Sequence, residues 1–125
     1  MFDVKIDAVA RRLVLRLSGF WSDRTMTEFE QALERTLASA KRQSNDYDTV
    51  SDASAFPVQS AAISARFGAL MASLSANRHG RVAIVVASTL NKLQVERSMG
   101  KSNVRAFLDR SAADQWLAEG NQAPK

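Results

Sequence analysis

The spacing of apolar residues along the first part of the chain predicts two strands followed by a helix. Residues 2–6 alternate apolar with charged side chains, as in a half-buried strand, and the apolar segment 13–17 predicts a second strand. The connection between them is short, so we expect an antiparallel hairpin. Over residues 23–43 apolar positions recur every three or four residues, which predicts an amphipathic helix; Thr25 and Glu28 have the spacing of a capping box at its start.

The middle of the chain continues with alternating strands and helices. The stretch YDTVSDASAF, residues 47–56, predicts a buried strand that ends in a polar loop at Asp52 and Ser54. The proline that follows suits the first turn of a helix, which is expected over residues 58–77. A continuous apolar run, 82–86, predicts a central parallel strand that is buried on both faces.

The last part of the chain predicts two more helices with a strand between them. The first of these helices is expected to start at Ser88 or Thr89, and residues 104–108 form the strand. Ser111 and Asp114 are spaced as a cap for the final helix.

This order of elements predicts an α/β fold. Strands and helices that alternate imply right-handed crossovers and parallel strands, while the hairpin makes the sheet mixed. We therefore expect a mixed, mainly parallel five-stranded sheet with an N-terminal hairpin and about four helices. Residues 1–119 are predicted to form a single domain, and 120–125 a disordered tail.

Composition narrows the range of functions. The chain has no cysteine, which excludes disulfides, thiolate catalysis and cysteine-ligated metal sites. Its formal net charge is +4, but the basic residues are scattered and no recognition motif accompanies them, so nucleic-acid binding is not expected. The N-terminus lacks the layout of a secretory signal, and the longest apolar run is too short to cross a bilayer. We expect a cytoplasmic protein.

The residues that could carry chemistry are few, and they do not form a catalytic motif. His79, the single histidine, is predicted at the sheet edge opposite Asp52 and Ser54, so a catalytic triad is not expected. Asp46, Asp48 and Asp52 form an acidic cluster, for which structural roles at strand ends are favoured over a cation site. No glycine-rich phosphate-binding loop occurs. The sequence predicts a protein that is not an enzyme and uses no metal or other cofactor.

The predicted helix over residues 58–77 is poor in charge. Arg66 is its only charged residue, while small residues recur at every fourth position. Three interpretations remain open: neighbouring elements cover this helix, it forms a self-association face, or it lines a site for an apolar ligand. The candidate binding residues lie in this helix and in the segment before it: Asp52, Ser54, Phe56, Ser60, Ser64, Phe67, Gly68 and Met71.

Several segments are similar to the SpoIIAA-like proteins of the STAS superfamily. GFWSDRTMTEFEQALERTL resembles that family's segment of glycine, aromatic residue, hydroxyl and amphipathic helix. The apolar strand VAIVV, the loop after YDTVSDASAF and the ending VRAFLDRSAADQWL extend the resemblance over nearly the whole chain. It implies a mixed sheet with helices on one main face and no enzymatic activity. It also implies a role in protein interaction, regulation or apolar ligand binding.

One branch of this family, the anti-sigma-factor antagonists, is controlled by phosphorylation. There a partner kinase modifies a serine that follows an aspartate at the start of the second helix. Ser60 lies near that position here, but Val58 or Gln59 stands in place of the aspartate. Ser60 and Ser54 are therefore the candidate phosphorylation sites. Divergent relatives are associated with lipids or membranes, so the resemblance also leaves peripheral membrane contact open.

Taken together, these features favour a STAS-like binding or regulatory module. Its expected partner is a protein or an apolar, lipid-like small molecule, engaged by the predicted second helix and the loop from Asp52 to Ser60. Its expected assembly is a homodimer, for which the same helix is the expected association face. The alternative is a phosphorylation-controlled regulator of the anti-sigma-factor-antagonist type.

Overall fold

A computed structural model describes residues 1–7, 9–40, 47–76, 80–99 and 103–121 of the chain. Within these ranges the chain forms a five-stranded sheet and four helices, in the order predicted from the sequence. The strands are β1 (Phe2–Asp7), β2 (Arg12–Ser18), β3 (Asp48–Ala55), β4 (Val82–Val85) and β5 (Val104–Phe107). The helices are α1 (Asp23–Ala40), α2 (Ala61–Ala76), α3 (Thr89–Met99) and α4 (Arg110–Asn121).

The strands lie side by side in their order along the chain, from β1 to β5. β1 and β2 form the expected antiparallel hairpin, and all other neighbours are parallel. The predicted mixed, mainly parallel sheet is therefore confirmed. Because each right-handed crossover moves one strand further in the same direction, α1, α2 and α3 share one face of the sheet. α4 packs on the opposite face.

Each face of the sheet has its own core. Leu13, Leu15 and Ile84 are buried in the larger core, beneath α1, α2 and α3. On the other face Val50 is buried under Leu117 of α4. Successive residues of a strand point to opposite faces, so β3 and β4 supply side chains to both cores. This explains why β4 is buried along its whole length, as predicted for a central strand.

Two predicted helix caps are wrong, although the helix starts are close to those expected. Ser22, not Thr25, caps α1, since the Ser22 Oγ accepts the N–H of Thr25 at 3.2 Å. Asp109, rather than Ser111 or Asp114, caps α4, because its carboxylate accepts a backbone N–H of the first turn at 3.0 Å. In both cases a residue earlier in the chain offers a side-chain oxygen to the same free N–H groups.

The boundaries around β3 and α2 also differ from the prediction. β3 includes Asp52 and Ser54, which the sequence placed in a loop. α2 begins only after Ser60, whose Oγ accepts a backbone N–H at 3.2 Å and so acts as the N-cap. Residues 57–60 are a loop, whereas the first turn of the helix was expected there. The start of α2 is thus set by a hydroxyl cap and not by the proline.

The remaining boundaries agree more closely with the prediction. Ser88 caps α3, since its Oγ accepts a backbone N–H at 3.1 Å. α4 continues to Asn121, which lies two residues beyond the predicted domain end at 119. No helix within the described ranges is both long and apolar enough to span a membrane. Some predictions fall outside the described residues: the end of the first helix at residue 43, Asp46, the turn with His79, and the tail from residue 122 onward.

The backbones of β3 and β4 approach each other closely where these strands begin. A Cβ atom on Gly80 would overlap the carbonyl oxygen of Tyr47 and lie 2.7 Å from its carbonyl carbon, so only glycine fits this position without movement of the backbone. Beside this approach, the carboxylate of Asp48 accepts the N–H of Arg81 at 2.8 Å. The Arg81 carbonyl in turn accepts the N–H of Thr49 at 2.8 Å. Asp48, a member of the predicted acidic cluster, thus has a structural role.

Candidate functional site

A cavity lies at the carboxyl ends of β3 and β4, between α2 and α3. Its volume is about 180 Å³. The carboxyl edge of a parallel sheet is where α/β proteins commonly bind ligands. We call it the carboxyl-edge cavity, and its lining consists of Ala53, Phe56, Pro57, Val58, Gln59, Ser64, Phe67, Gly68, Ile84, Val86, Asn91 and Val95.

None of these lining residues carries a charge. Ala53, Ile84 and Val86 are buried strand-end residues that form the floor of the cavity. Phe67 lies on the α2 side and Val95 on the α3 side, so the walls are also largely apolar. A charged group placed here would lose water without gaining an opposite charge from the lining.

An aromatic row holds the Phe56 wall in place. The rings of Phe56 and Phe67 have centroids 5.7 Å apart, and the ring of Phe56 meets that of Trp21 edge to face at 5.0 Å. Trp21 in turn contacts Phe29 at 5.1 Å and Phe2 at 5.8 Å. Edge-to-face pairs of this kind are favourable beyond their buried area, so the row connects the cavity wall to the main core.

Gln59 ties together the two loops at this edge of the sheet. Its Oε1 accepts the N–H of Trp21 at 2.8 Å, while its Nε2 donates to the carbonyls of Gly19 at 3.0 Å and Pro57 at 2.8 Å. The Gln59 amide is thus already engaged within the protein. Ser64 and Asn91 supply the other polar side chains of the lining.

Exposed apolar side chains occur in the lining of the cavity and beside it in the chain. Val58, which lines the cavity, is 68% exposed, and Leu90, which precedes the lining residue Asn91, is 64% exposed. Phe20 is 79% exposed and lines an adjoining depression that shares Phe56 and Asn91 with the cavity. Exposed apolar side chains next to a cavity are typical of places where proteins bind other molecules.

The outer face of α2 carries no charge either. Its exposed described positions are occupied by Ala61, Ala62, Ser64, Ala65, Ala69 and Ser73. The one charge of the helix, on Arg66, is directed to α1, where the guanidinium lies 2.5 Å from the carboxylate of Glu30 and 3.1 Å from the hydroxyl of Thr27. The charge-poor surface inferred from the sequence is thus present at the described positions.

The structure brings together half of the predicted binding residues. Those that line the cavity are Phe56, Ser64, Phe67 and Gly68. Met71 is fully buried in the main core and does not line the cavity. Ser60 is exposed at the N-cap of α2 and lies outside the lining. Asp52 and Ser54 also lie outside it.

Asp52 and Ser54 form a polar pair at the end of β3, and Ser54 lines the adjoining depression that contains Phe20. The Oδ1 of Asp52 accepts the Ser54 hydroxyl at 2.6 Å and the Ser54 N–H at 3.1 Å. Partial burial raises the pKa of Asp52, but these hydrogen bonds and the charges of Arg110 and Arg16 outweigh it, so the pKa is below its ordinary value. Asp52 is therefore ionised near neutral pH, which suits a hydrogen-bond acceptor and not a general acid.

The contribution of α3 to the cavity was missed in the sequence. Asn91 and Val95 line it one turn apart on that helix. α3 has a weak apolar pattern, and the only signal for its position was the crossover rule, which places consecutive helices next to each other. Within the described residues no cluster of acidic residues, histidines or cysteines is arranged to hold a metal ion.

Comparison with known proteins identifies the fold. No protein-family model matches the sequence, and no curated protein matches it significantly. Among solved structures, the chain is similar to an uncharacterized protein of the DUF3478 family from Shewanella loihica PV-4, described as having a SpoIIAA-like fold. The TM-score is 0.69 at 18% sequence identity, over 93% of this chain and 93% of that chain. The protein therefore has a SpoIIAA-like, STAS-type fold, as the sequence segments indicated.

Proposed function

We propose that the protein is a non-enzymatic STAS-like binding module that accepts an uncharged, mainly apolar group in the carboxyl-edge cavity. The observation that carries this proposal is the lining, which is apolar on three sides and contains no charged side chain. Ligand sites of proteins are typically apolar clefts with a few polar groups that set orientation. Ser64 and Asn91 are placed to provide such groups.

The volume of the cavity sets the size of the group. A cavity of about 150 Å³ lined by apolar side chains is large enough for benzene, whereas drug-sized ligands need roughly 300 Å³ or more. At about 180 Å³ the carboxyl-edge cavity fits an aromatic ring or a short branched alkyl group. We infer that it takes the apolar end of a larger molecule, either a lipid-like compound or a hydrophobic side chain of a protein partner. Exposed Phe20 and Val58 would contact the remainder.

A titration with a small uncharged probe tests this proposal. With about eight non-hydrogen atoms at roughly 0.5 kcal/mol each, benzyl alcohol should bind with a Kd on the order of 1 mM. In two-dimensional NMR spectra we expect saturable shifts at the amides of Ser64, Gly68 and Val95. Benzoate has the same ring with a carboxylate, and it should bind at least about tenfold more weakly, because its charge must be desolvated.

Two matched variants of α2 locate the binding. Ser64 and Ala65 are neighbouring exposed residues, but only Ser64 lines the cavity. Ser64→Glu should abolish saturable binding of benzyl alcohol, whereas Ala65→Glu should leave its Kd within about twofold. Benzoate that binds as tightly as benzyl alcohol, or equal effects of the two variants, would contradict the proposal.

A second candidate function is phosphorylation-controlled regulation of the anti-sigma-factor-antagonist type. The observation that favours it is the exposed hydroxyl of Ser60 at the N-terminus of α2, where free N–H groups and the helix dipole stabilise a phosphate. Intact-mass measurement of protein from its native host tests this function. A phosphate adduct that disappears in Ser60→Ala but persists in Ser54→Ala would support it, and protein without phosphate under all growth conditions would oppose it.

A further inference from the structure

β1 forms one edge of the sheet, and its outer side has no strand partner among the described residues. Met1 and Ser18 exchange two backbone hydrogen bonds, each of 2.9 Å. In an antiparallel pair such bonded positions alternate with non-bonded ones. It follows that Phe2, Val4 and Ile6 direct their N–H and C=O groups away from β2, toward the open edge.

The side chains of β1 divide cleanly between the two faces of the sheet. Phe2, Val4 and Ile6 are half-buried and pack against the main core. Asp3, Lys5 and Asp7 alternate with them and are exposed on the other face. Charged residues on an edge strand usually prevent pairing between molecules, and like charges on both edges do this best. Here the sign of the charge alternates from Asp3 to Lys5 to Asp7. An antiparallel copy of the same strand can therefore place opposite charges next to each other.

We propose that β1 pairs with β1 of a second copy of the chain, antiparallel and centred on Val4, so that one sheet continues through a homodimer. In this register Phe2 lies opposite Ile6 of the second copy, and each such pair can exchange two backbone hydrogen bonds. Asp3 lies opposite Lys5 of the second copy, and Lys5 opposite its Asp3. Every outward-facing backbone group of the strand is then paired, and so are two sets of opposite charges.

Other registers of the same two strands fit less well. A shift of one residue would break the match of N–H and C=O groups and turn the apolar side chains to the wrong face. A register centred on Lys5 would set Lys5 against Lys5 and Asp3 against Asp7. A register centred on Ile6 pairs opposite charges but leaves Phe2 without a partner in β1 of the second copy. The charge pattern and the length of strand overlap together select the Val4-centred register.

The surface beside β1 also has room for a second copy. A groove runs between β1 and α1, and its helix side is lined by Arg35 and by the small side chains of Ala32, Thr36 and Ser39. The small residues leave space beside β1 for the second copy. Pairing would also cover the exposed parts of Phe2 and Val4, which line the same groove.

Two variants with reversed charges test this interface. The dimer Kd of each is measured by sedimentation velocity over a wide range of chain concentration. Lys5→Asp places aspartate opposite aspartate, and Asp3→Lys places lysine opposite lysine, so each variant alone should show a dimer Kd raised roughly tenfold to a hundredfold. An equimolar mixture restores Asp–Lys pairs at both positions and should form heterodimers with a Kd close to that of the unmodified protein. The exposed Asp3–Lys5 ion pair of 3.3 Å contributes little to folding, so circular dichroism should be unchanged.

Each alternative assembly gives a different result. Unmodified protein that stays monomeric at all concentrations would overturn the proposal, as would variants that dimerise normally. An equimolar mixture of Lys5→Asp and Asp3→Lys that remains monomeric would show that residues 3 and 5 of the two copies do not face each other. Ala65→Glu on α2 serves as the control: it should leave the dimer intact, whereas its dissociation would place the interface on α2, where the sequence predicted it.

Discussion

Replacing Gly80 with alanine tests the close approach of β3 and β4 described above. The added methyl group would overlap the carbonyl oxygen of Tyr47, and it would lie 2.7 Å from the carbonyl carbon of Tyr47 and 2.9 Å from the nitrogen of Asp48. These three are backbone atoms, so no side-chain rotation can relieve the contact. The strand ends must separate, which strains the hydrogen bonds of Arg81 with Asp48 and Thr49.

The cost of this substitution can be worked out from these contacts. Overpacking in a well-packed interior typically costs about 1–3 kcal/mol, and weakening one or two hydrogen bonds adds about 1 kcal/mol each. We expect a loss of about 3 kcal/mol in the free energy of unfolding. An unfolding entropy of about 2.1 cal/mol/K per residue gives about 0.26 kcal/mol/K for the 125 residues. The melting temperature should therefore fall by about 10 °C.

Gly19 provides a matched control for this prediction. It has φ of 76°, but a methyl group added to its Cα would meet no atom within 4 Å beyond the adjacent residues in the chain, so Gly19→Ala introduces backbone strain without a steric clash. That strain costs about 1–2 kcal/mol. Urea and thermal unfolding followed by circular dichroism should rank Gly80→Ala as clearly less stable than Gly19→Ala. Equal or reversed stabilities would show that the strand ends can separate at little cost, and would refute the reasoning.

Two further predictions concern electrostatic contacts. Because the pKa of Asp52 is lowered in the folded protein, its carboxylate stabilises the fold above the unfolded-state pKa and this contribution is lost as pH falls through the folded pKa. Urea midpoints of the unmodified protein should thus fall more steeply than those of Asp52→Asn between about pH 5 and pH 3. Arg66→Met should lower the free energy of unfolding, measured in urea, by about 1 kcal/mol. Arg24→Met should lower it by less than about 0.5 kcal/mol, because the Arg24–Glu28 ion pair is 3.6 Å long and the Arg24 side chain is 89% exposed. Equal losses for the two arginine variants, or parallel pH profiles for Asp52→Asn, would contradict these predictions.

The order of strands and helices was predictable because it depends on periodicity, which is a local property of the sequence. The alternation in β1 and the continuous apolar run of β4 both correspond to the burial found in the fold. The caps were less predictable, because nearby residues compete for the same N–H groups. At α1 both Ser22 and Thr25 carry a suitable hydroxyl, and at α4 Asp114 is engaged in ion pairs with Arg12 at 2.9 Å and Arg110 at 3.1 Å.

The site was only half predictable, because it depends on contacts between distant segments. Phe67 and Gly68 were found from the composition of α2, a property of one helix. Asn91 and Val95 belong to α3, and their position beside α2 follows from tertiary packing that a weak apolar pattern does not reveal. Asp52 was assigned to the site because polar residues favour loops, but hydrogen bonding from neighbouring strands on both sides keeps it in β3.

The aromatic row beside the cavity gives the protein an internal optical reporter. The chain has two tryptophans, and they lie on opposite faces of the sheet. Trp21 is buried with its ring against Phe56, so a group that displaces this cavity wall changes the fluorescence of Trp21. Trp116 packs in the core on the opposite face of the sheet, with the guanidinium carbon of Arg81 4.8 Å from its ring centroid, so its emission adds a background to that of Trp21. Trp116→Phe therefore yields a single-tryptophan protein whose emission follows events at the cavity without any added label.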